Sequence, residues 1–310
     1  MSLVRTLRVA TRTSALALIQ TRSIVERLAK RGIACEIVEI TTRGDRDKDG
    51  SLAVIGGDGV FVKELQNALL DNRADIAVHS MKDLPTELPP GVRAGVVPPR
   101  ADARDALVSP RGAFKTIRDL PQGAVIGTSS LRRKAQLLVI RPDLRVRDLR
   151  GNVDTRIKKM LAGACDAAVL AMAGIERIGL PAEAGALPVA IDEMVPAVGQ
   201  GALYVQHREA DSALREMLAP LDDPASAFEV DLERAFLKRM GGGCLVPIGG
   251  HAQVGEEGWT FHAFVAEVDG TQAQRRSIRG SDKAARSRVE ALADEMLAAG
   301  AREIIAKFRT

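Results

Sequence analysis

The chain has 310 residues, 46% of them hydrophobic and 27% charged, which predicts two or three domains and excludes a wholly disordered protein. Its 44 basic and 40 acidic residues give a net charge of +4, which is small for a nucleic-acid-binding protein of this length. No apolar run reaches the roughly 18 residues of a membrane span and no secretory signal is evident, so we expect a cytoplasmic protein without a membrane partner.

Strand and helix patterns alternate through the first part of the chain, which predicts αβ units with mostly parallel sheets. The first series comprises strands at residues 7–10, 37–40 and 75–78 and helices at 15–30 and 60–70. The second comprises strands at 124–127, 144–146 and 167–170 and helices at 130–140 and 153–161. From about residue 224 the order becomes helix, strands, helix, which predicts a small α+β domain. Its elements are a helix at 225–240, strands near 248–254, 259–268 and 274–278, and a helix at 282–308.

Arginine is the favoured basic residue, with 33 Arg against 11 Lys, and a GC-rich genome alone would favour such an excess. The distribution is more informative, because residues 128–159 hold ten basic and three acidic residues. That segment is either a solvated basic surface or a site for a small polyanion, since a guanidinium grips carboxylate or phosphate with two bonds. Aromatic residues make up only 3% of the chain, which argues against a stacking surface for single-stranded nucleic acid.

Polar residues follow the predicted strands of the first series, where open α/β sheets bind ligands. Arg12 and Ser14 come after the first strand, and Lys82 and Asp83 come after the third. An Asp in such a place can stabilise a developing cation or move a proton. The simpler interpretations are that Ser14 caps a helix and that Lys82 and Asp83 form a surface pair.

The second series repeats this arrangement with more arginines. Ser129, Arg132 and Arg133 follow the strand at 124–127, and Arg150 and Arg156 follow the strand at 144–146. Hydroxyls, guanidinium groups and the free N–H groups of a helix start together make an anion site. The spacing differs from that of a P-loop, and it leaves phosphate and carboxylate ligands undistinguished.

Cys244 follows three consecutive glycines, Gly241 to Gly243. A thiol on such a loop could be reached by a large group, although a flexible connector before a buried cysteine is the simpler interpretation. No histidine is near it in sequence, so a hydrolase nucleophile has no support. The three cysteines are far apart, which excludes a disulfide scaffold.

Taken together, these motifs resemble the porphobilinogen deaminase (hydroxymethylbilane synthase) family. The matching segments, in chain order, are residues 10–14, 61–65, 78–85, 127–133, 149–156, 173–177, 196–201 and 242–249. The resemblance implies an α/β protein in which two αβ domains of the type II periplasmic-binding-protein kind flank a cleft. These domains would comprise residues 1–99 with about 199–219, and residues 100–198. An α+β domain at 220–310 would carry the cysteine loop.

The resemblance also implies the reaction. The family joins four porphobilinogen molecules head to tail with loss of ammonia, giving hydroxymethylbilane for haem synthesis. The chain grows on a dipyrromethane cofactor, which would be attached to Cys244 through a thioether. No metal or nucleic acid is implied, and a monomer is expected.

The same resemblance gives the candidate residues their roles. Asp83 would stabilise the cationic intermediate that forms when the next pyrrole attacks. The carboxylates of cofactor and substrate would be held by Arg12, Ser14, Lys82, Ser129, Arg132, Arg133, Arg150, Arg156, Arg177 and Gln200. Two rival classes are a transport receptor or other anion-binding protein, which would not need Cys244, and a nucleic-acid-binding protein that uses residues 128–159.

Overall fold

The computed structural model describes residues 6–42, 59, 62–243, 246–281 and 284–308. The chain forms two compact units, and it crosses between them three times. Unit 1 comprises Met1–Arg100 and Ala202–Ala227, and unit 2 comprises Ala101–Gly201 and Phe228–Thr310. The division of unit 2 into an αβ domain and a separate α+β domain stays a prediction. Within the described ranges, no helix is both long enough and apolar enough to span a membrane.

Unit 1 contains a five-stranded sheet with helices on both faces. Its elements are β1 (Leu7–Arg12), α1 (Ala15–Ala29), β2 (Cys35–Ile40), α2 (Lys63–Leu70), β3 (Ile76–Ser80), β4 (Ala94–Val96), β10 (Leu203–His207) and α6 (Ser212–Leu218). The strand order is β2-β1-β3-β10-β4, with β1, β2 and β3 parallel and β10 antiparallel. Alternate residues of each strand supply opposite cores: Val9 packs with Ile24 of α1, and Ala10 packs with Leu65 of α2.

Unit 2 repeats this arrangement. The elements are β5 (Asp105–Pro110), β6 (Val125–Gly127), α3 (Leu131–Ile140), β7 (Arg145–Arg147), α4 (Val153–Lys159), β8 (Ala167–Ala171), α5 (Met172–Ile178) and β9 (Ala184–Pro188). The order is β7-β6-β8-β5-β9, so β5 takes the place that β10 takes in unit 1. Each of these two antiparallel strands is the first strand after the chain crosses from the other unit. The sequence patterns predict the parallel strands but not β4, β5, β9 or β10.

The last part of unit 2 contains an antiparallel sheet of β11 (Ile248–Gly255), β12 (Gly258–Val265) and β13 (Gln274–Gly280). It packs against α7 (Pro224–Met240), α8 (Ala285–Met296) and α9 (Arg302–Ala306), around a core that includes Phe236 and Phe261. The prediction of one closing helix is wrong. Gly300 has a φ of +105°, which interrupts the helix between α8 and α9. The predicted α/β class with a small α+β part is confirmed.

Candidate active site

The carboxyl ends of the parallel strands in unit 1 form one candidate site region. Arg12 ends β1, and Asp83 lies in a short 3-10 turn, Met81–Asp83, that directly follows β3. The turn is anchored because the Met81 backbone N–H donates to Ala202 O at 3.0 Å. The predicted Arg12 and Asp83 line one pocket, together with Gln20, His79 and Ser80 and the apolar Ala17, Val62 and Val78.

Two polar contacts hold α1, the helix that supplies Ala17 and Gln20 to this pocket. Gln20 Nε2 of α1 donates to Ser80 Oγ at 2.9 Å, which ties the helix to the end of β3. Ser14 Oγ accepts from the Ala17 N–H at 3.4 Å and caps α1, so the interpretation of Ser14 as a helix cap is confirmed. Its predicted contact with a ligand carboxylate stays a prediction.

His79 is the remaining titratable group in the pocket wall. Burial lowers its pKa to about 4, the positive charge of Arg12 acts in the same direction, and Gln206 acts in the opposite one. The imidazole is therefore neutral near pH 7. The other ionisable residues that line this pocket are Arg12 and Asp83.

Unit 2 has a candidate site region of its own, at the carboxyl edge of its sheet, where α3 begins. Arg132 Nη1 donates to Asp105 Oδ2 at 2.6 Å, and Arg132 Nη2 donates to Oδ1 at 3.2 Å. Arg133 donates to the same Oδ1 through Nε at 2.9 Å and Nη2 at 2.7 Å. Both arginines are buried, although we predicted them as ligand-binding groups at a cleft. Burial alone would raise the pKa of Asp105, but the two guanidinium groups hold it well below its usual range.

Gln200 joins this cluster from the segment that leads back to unit 1. Its Nε2 donates to Asp105 Oδ1 at 2.9 Å and to Ala103 O at 2.8 Å, and its Oε1 accepts from Arg133 at 3.3 Å. The next residue, Gly201, has a φ of +89°, and a Cβ there would lie 2.5 Å from Ala101 O. Glycine is required at 201 for this approach, and it fixes the position of Gln200.

Arg156, Arg150 and Ser129 lie at the same edge, after β7 and β6. Burial lowers the pKa of Arg156 to about 10, and the nearby charge of Arg133 contributes. Arg150 Nε donates to Asp148 at 2.6 Å. Burial opposes ionisation of Asp148, but a hydrogen bond from Ser129 and the Arg150 pair lower its pKa. This edge therefore brings together five predicted groups: Ser129, Arg132, Arg133, Arg150 and Arg156.

Arg177 and Cys244 are the remaining predicted residues outside unit 1. Arg177, in the last turn of α5, donates through Nη2 to Gly201 O at 2.9 Å. Cys244 lies outside the described residues, so its role stays a prediction. The glycines before it have structural reasons: Gly241, with a φ of +65°, ends α7, and a Cβ on Gly242 would lie 2.6 Å from Ile248 Cδ1.

Asp105 is one of the site residues that the sequence patterns missed. Its partners lie 27, 28 and 95 residues away in the chain. The available signal was weak: an acidic residue directly before the apolar run that forms β5. Gln20 and Ser80 were also missed, because neither stands out from the helix and strand that carry it.

Comparison with known proteins identifies relatives along most of the chain. The family model described as porphobilinogen deaminase, dipyromethane cofactor binding domain, matches residues 7–216. The model described as porphobilinogen deaminase, C-terminal domain, matches residues 227–298. The porphobilinogen deaminase of Syntrophotalea carbinolica is 47% identical over 302 residues, covering 97% of this chain and 95% of the relative. That of Maridesulfovibrio salexigens is 45% identical over 303 residues and covers 97% of both chains.

Solved structures with a similar fold have low identity. The periplasmic aliphatic sulphonate binding protein SsuA from Escherichia coli is 18% identical with a TM-score of 0.40, over 75% of this chain and 70% of that one. The periplasmic VFT2 domain of BvgS from Bordetella pertussis is 15% identical with a TM-score of 0.42, over 74% of this chain and 90% of that one.

Proposed function

The chain belongs to the porphobilinogen deaminase family, and from that premise we propose how its residues divide the work of the reaction. It is a transferase of tetrapyrrole synthesis that uses a dipyrromethane cofactor. At the finer level we assign it hydroxymethylbilane synthase activity, with porphobilinogen as the only substrate. Each addition forms one carbon–carbon bond and breaks one carbon–nitrogen bond, and ammonia leaves. The main support for this assignment is that the two family models match most of the chain.

Asp83 is the proposed catalytic residue. It lies in the turn after β3 and lines a pocket with Arg12. When a pyrrole attacks the deaminated substrate, positive charge develops on the ring that carries the N–H. A carboxylate in the pocket stabilises that charge and accepts the hydrogen bond of the ring nitrogen. Asp83 is the acidic residue among the described residues that line this pocket.

The arginine edge of unit 2 has the chemistry that a dipyrromethane cofactor requires. Each pyrrole ring carries an acetate and a propionate, so the bound group brings several carboxylates. Burial is the main cause of the lowered pKa of Arg156, and repulsion by the positive charge of Arg133 adds to it. An incoming carboxylate relieves that repulsion. When bound, the cofactor supplies the first acceptor ring for chain growth, while these residues hold its side chains.

The remaining assignments follow the same chemistry. We assign carboxylate binding to Arg12, Ser14, Lys82, Ser129, Arg132, Arg133, Arg150, Arg156, Arg177 and Gln200, and cofactor attachment to Cys244. Since Arg132 and Arg133 also bind Asp105, they contribute only the donors that Asp105 does not use.

The test is direct. The purified chain is incubated with porphobilinogen, ammonia release is followed, and the product is oxidised to a coloured porphyrin. We expect porphyrin and about one ammonia per porphobilinogen consumed, because each addition expels one amino group. Binding of porphobilinogen without ammonia release would instead support an anion-binding protein.

We further propose that the chain acts as a monomer in the cytoplasm and binds no nucleic acid. Its net charge of +4 and aromatic content of 3% support the last point. Light scattering of the purified protein at several concentrations tests the monomer, and a mass of two chains would contradict it.

A further inference from the structure

Asp105 holds the two arginines at the start of α3 with a single carboxylate. It is the first residue of β5, at the carboxyl edge of the parallel strands, and its side chain is 0% exposed. Arg132 grips both oxygens, while Arg133 and Gln200 donate to Oδ1. The guanidinium groups therefore have fixed orientations even though each sits at the end of a flexible side chain.

The single negative charge of Asp105 neutralises only part of the positive charge of Arg132 and Arg133. Two guanidinium groups and one carboxylate leave one net positive charge, and Arg156 adds to it. The Val195 carbonyl accepts one further N–H of Arg132, at 2.6 Å. In the described part of the chain, Arg133 Nη1 and Arg132 Nε donate to no protein group. These N–H groups remain for an external anion, on guanidinium groups that are already oriented.

Unit 1 contains a second buried aspartate with two arginine partners, and this aspartate lies away from the candidate site residues. Asp75 is 2% exposed and immediately precedes β3, at the opposite edge of the sheet from Asp83. It accepts from Arg8 at 3.0 Å and pairs with Arg208 at 3.5 Å. Both carboxylates thus bind two arginines in a buried setting, but only Asp105 holds arginines of the candidate site.

We propose that Asp105 is the positioning residue of the carboxylate site: it orients Arg132 and Arg133 to receive a carboxylate of porphobilinogen or of the growing pyrrole chain, without touching that ligand. The inference rests on the proposed role of the two arginines. Without the negative charge of Asp105, the side chains of Arg132 and Arg133 would be free to reorient. Ligand binding would then weaken more than the rate of the chemical step would fall.

The test compares Asp105→Asn with Asp75→Asn in the full-length protein. Four quantities are measured: covalent cofactor content by intact mass, KM and kcat for porphobilinogen, and the urea midpoint of unfolding. We expect Asp105→Asn either to lose cofactor or to raise KM by about tenfold or more with a smaller change in kcat. Asp75→Asn should lower the urea midpoint similarly while cofactor content and KM stay unchanged. If Asp105→Asn does not fold, Asp105→Glu, which keeps the charge but displaces it by a methylene, is judged by the same criteria.

A third variant, Arg133→Gln, tests the carboxylate-binding role of the arginines separately from the positioning role of Asp105. If Arg133→Gln keeps normal cofactor content and KM, the proposed carboxylate role of the arginines is wrong. If Arg133→Gln is impaired but Asp105→Asn matches the wild type, the positioning role of Asp105 is overturned and the carboxylate role stands. A similar rise of KM in Asp75→Asn would also overturn the positioning role of Asp105. It would mean that the loss of any buried carboxylate charge raises KM.

Discussion

Met81 and Met172 occupy equivalent positions in the two five-stranded sheets. Each directly follows the central parallel strand of its sheet, and each backbone N–H donates at 3.0 Å to the residue before the antiparallel strand, Ala202 O and Arg104 O respectively. Two residues further along, the equivalence ends: the first unit has Asp83 and the second has Gly174. The same backbone frame therefore presents a carboxylate in only one of the two units.

Asp83→Asn should abolish most turnover and leave the cofactor attached. The amide keeps the shape of the side chain but cannot balance a developing positive charge, so we expect kcat to fall by about 100-fold or more. Porphyrin formation and intact mass are the measurements. Asp71→Asn, at an exposed Asp in the same unit, is the control. Turnover within a few-fold of wild type would remove Asp83 from the catalytic role.

Cys244→Ser should lack the mass of one dipyrromethane, which we expect on the wild-type chain. A hydroxyl is a far weaker nucleophile than a thiol near neutral pH, so the thioether does not form. Cys35→Ser is the matched control and should keep the added mass, because it removes a cysteine that has no proposed part in attachment. An active wild-type preparation with the bare sequence mass would contradict the assignment.

The sequence predicted the parts of the fold that depend on local pattern. The helix at Ala15–Ala29 begins after the expected cap and presents its apolar face to β1 and β3. Among the parallel strands, β3 begins with three apolar residues and β8 is apolar throughout. β5 and β10 escaped prediction because each follows a crossing between the units, so no local strand–helix alternation precedes it. Gly300 escaped because glycine is tolerated in helical patterns, and only its φ of +105° reveals the break.

Part of the candidate site was predictable because its residues directly follow strands that the local pattern predicts. Arg12, Asp83, Arg132 and Arg133 follow predicted strand ends, and chain order alone places them at sheet edges. Asp105 was not predictable, because its role arises only when β5 inserts antiparallel beside β8. That pairing brings the Asp105 carboxylate to Arg132 and Arg133, which lie 27 and 28 residues further along the chain. No short sequence motif encodes such a contact.

His79 should make folding stability depend on pH. Its folded pKa of about 4 lies below the ordinary value of 6.5, so the unfolded chain binds the extra proton. Stability from this residue is complete above pH 6.5 and falls as the pH drops towards 4, by roughly 3 kcal/mol at most. Urea unfolding of the wild type and His79→Gln at pH 7.5 and 5 measures the difference. Equal pH dependence in the two proteins would contradict it.

Arg132→Lys should impair cofactor assembly and lower stability together. Lysine keeps the positive charge but loses the two-pronged contact with Asp105 and the bond to Val195 O, which we expect to cost about 2 kcal/mol. Arg141→Lys is the control, since Arg141 also grips a carboxylate, Asp143, just beyond the carboxyl end of α3. Cofactor content and elongation rate should fall in the first variant alone; normal values in both would show that the fork of Arg132 is dispensable.

Gly201→Ala should be far more damaging than Gly163→Ala, although the two glycines have similar φ angles of +89° and +83°. A Cβ at 163 meets nothing within 4 Å, so only backbone strain of about 1 kcal/mol is expected. At 201 the Cβ would also collide with Ala101 O at 2.5 Å, and a backbone shift would raise the cost to about 3 kcal/mol. The same shift moves Gln200 away from Asp105, so cofactor content should fall with stability in this variant alone. Equal unfolding free energies for the two variants would mean that the chain relieves the contact at 201 without moving Gln200.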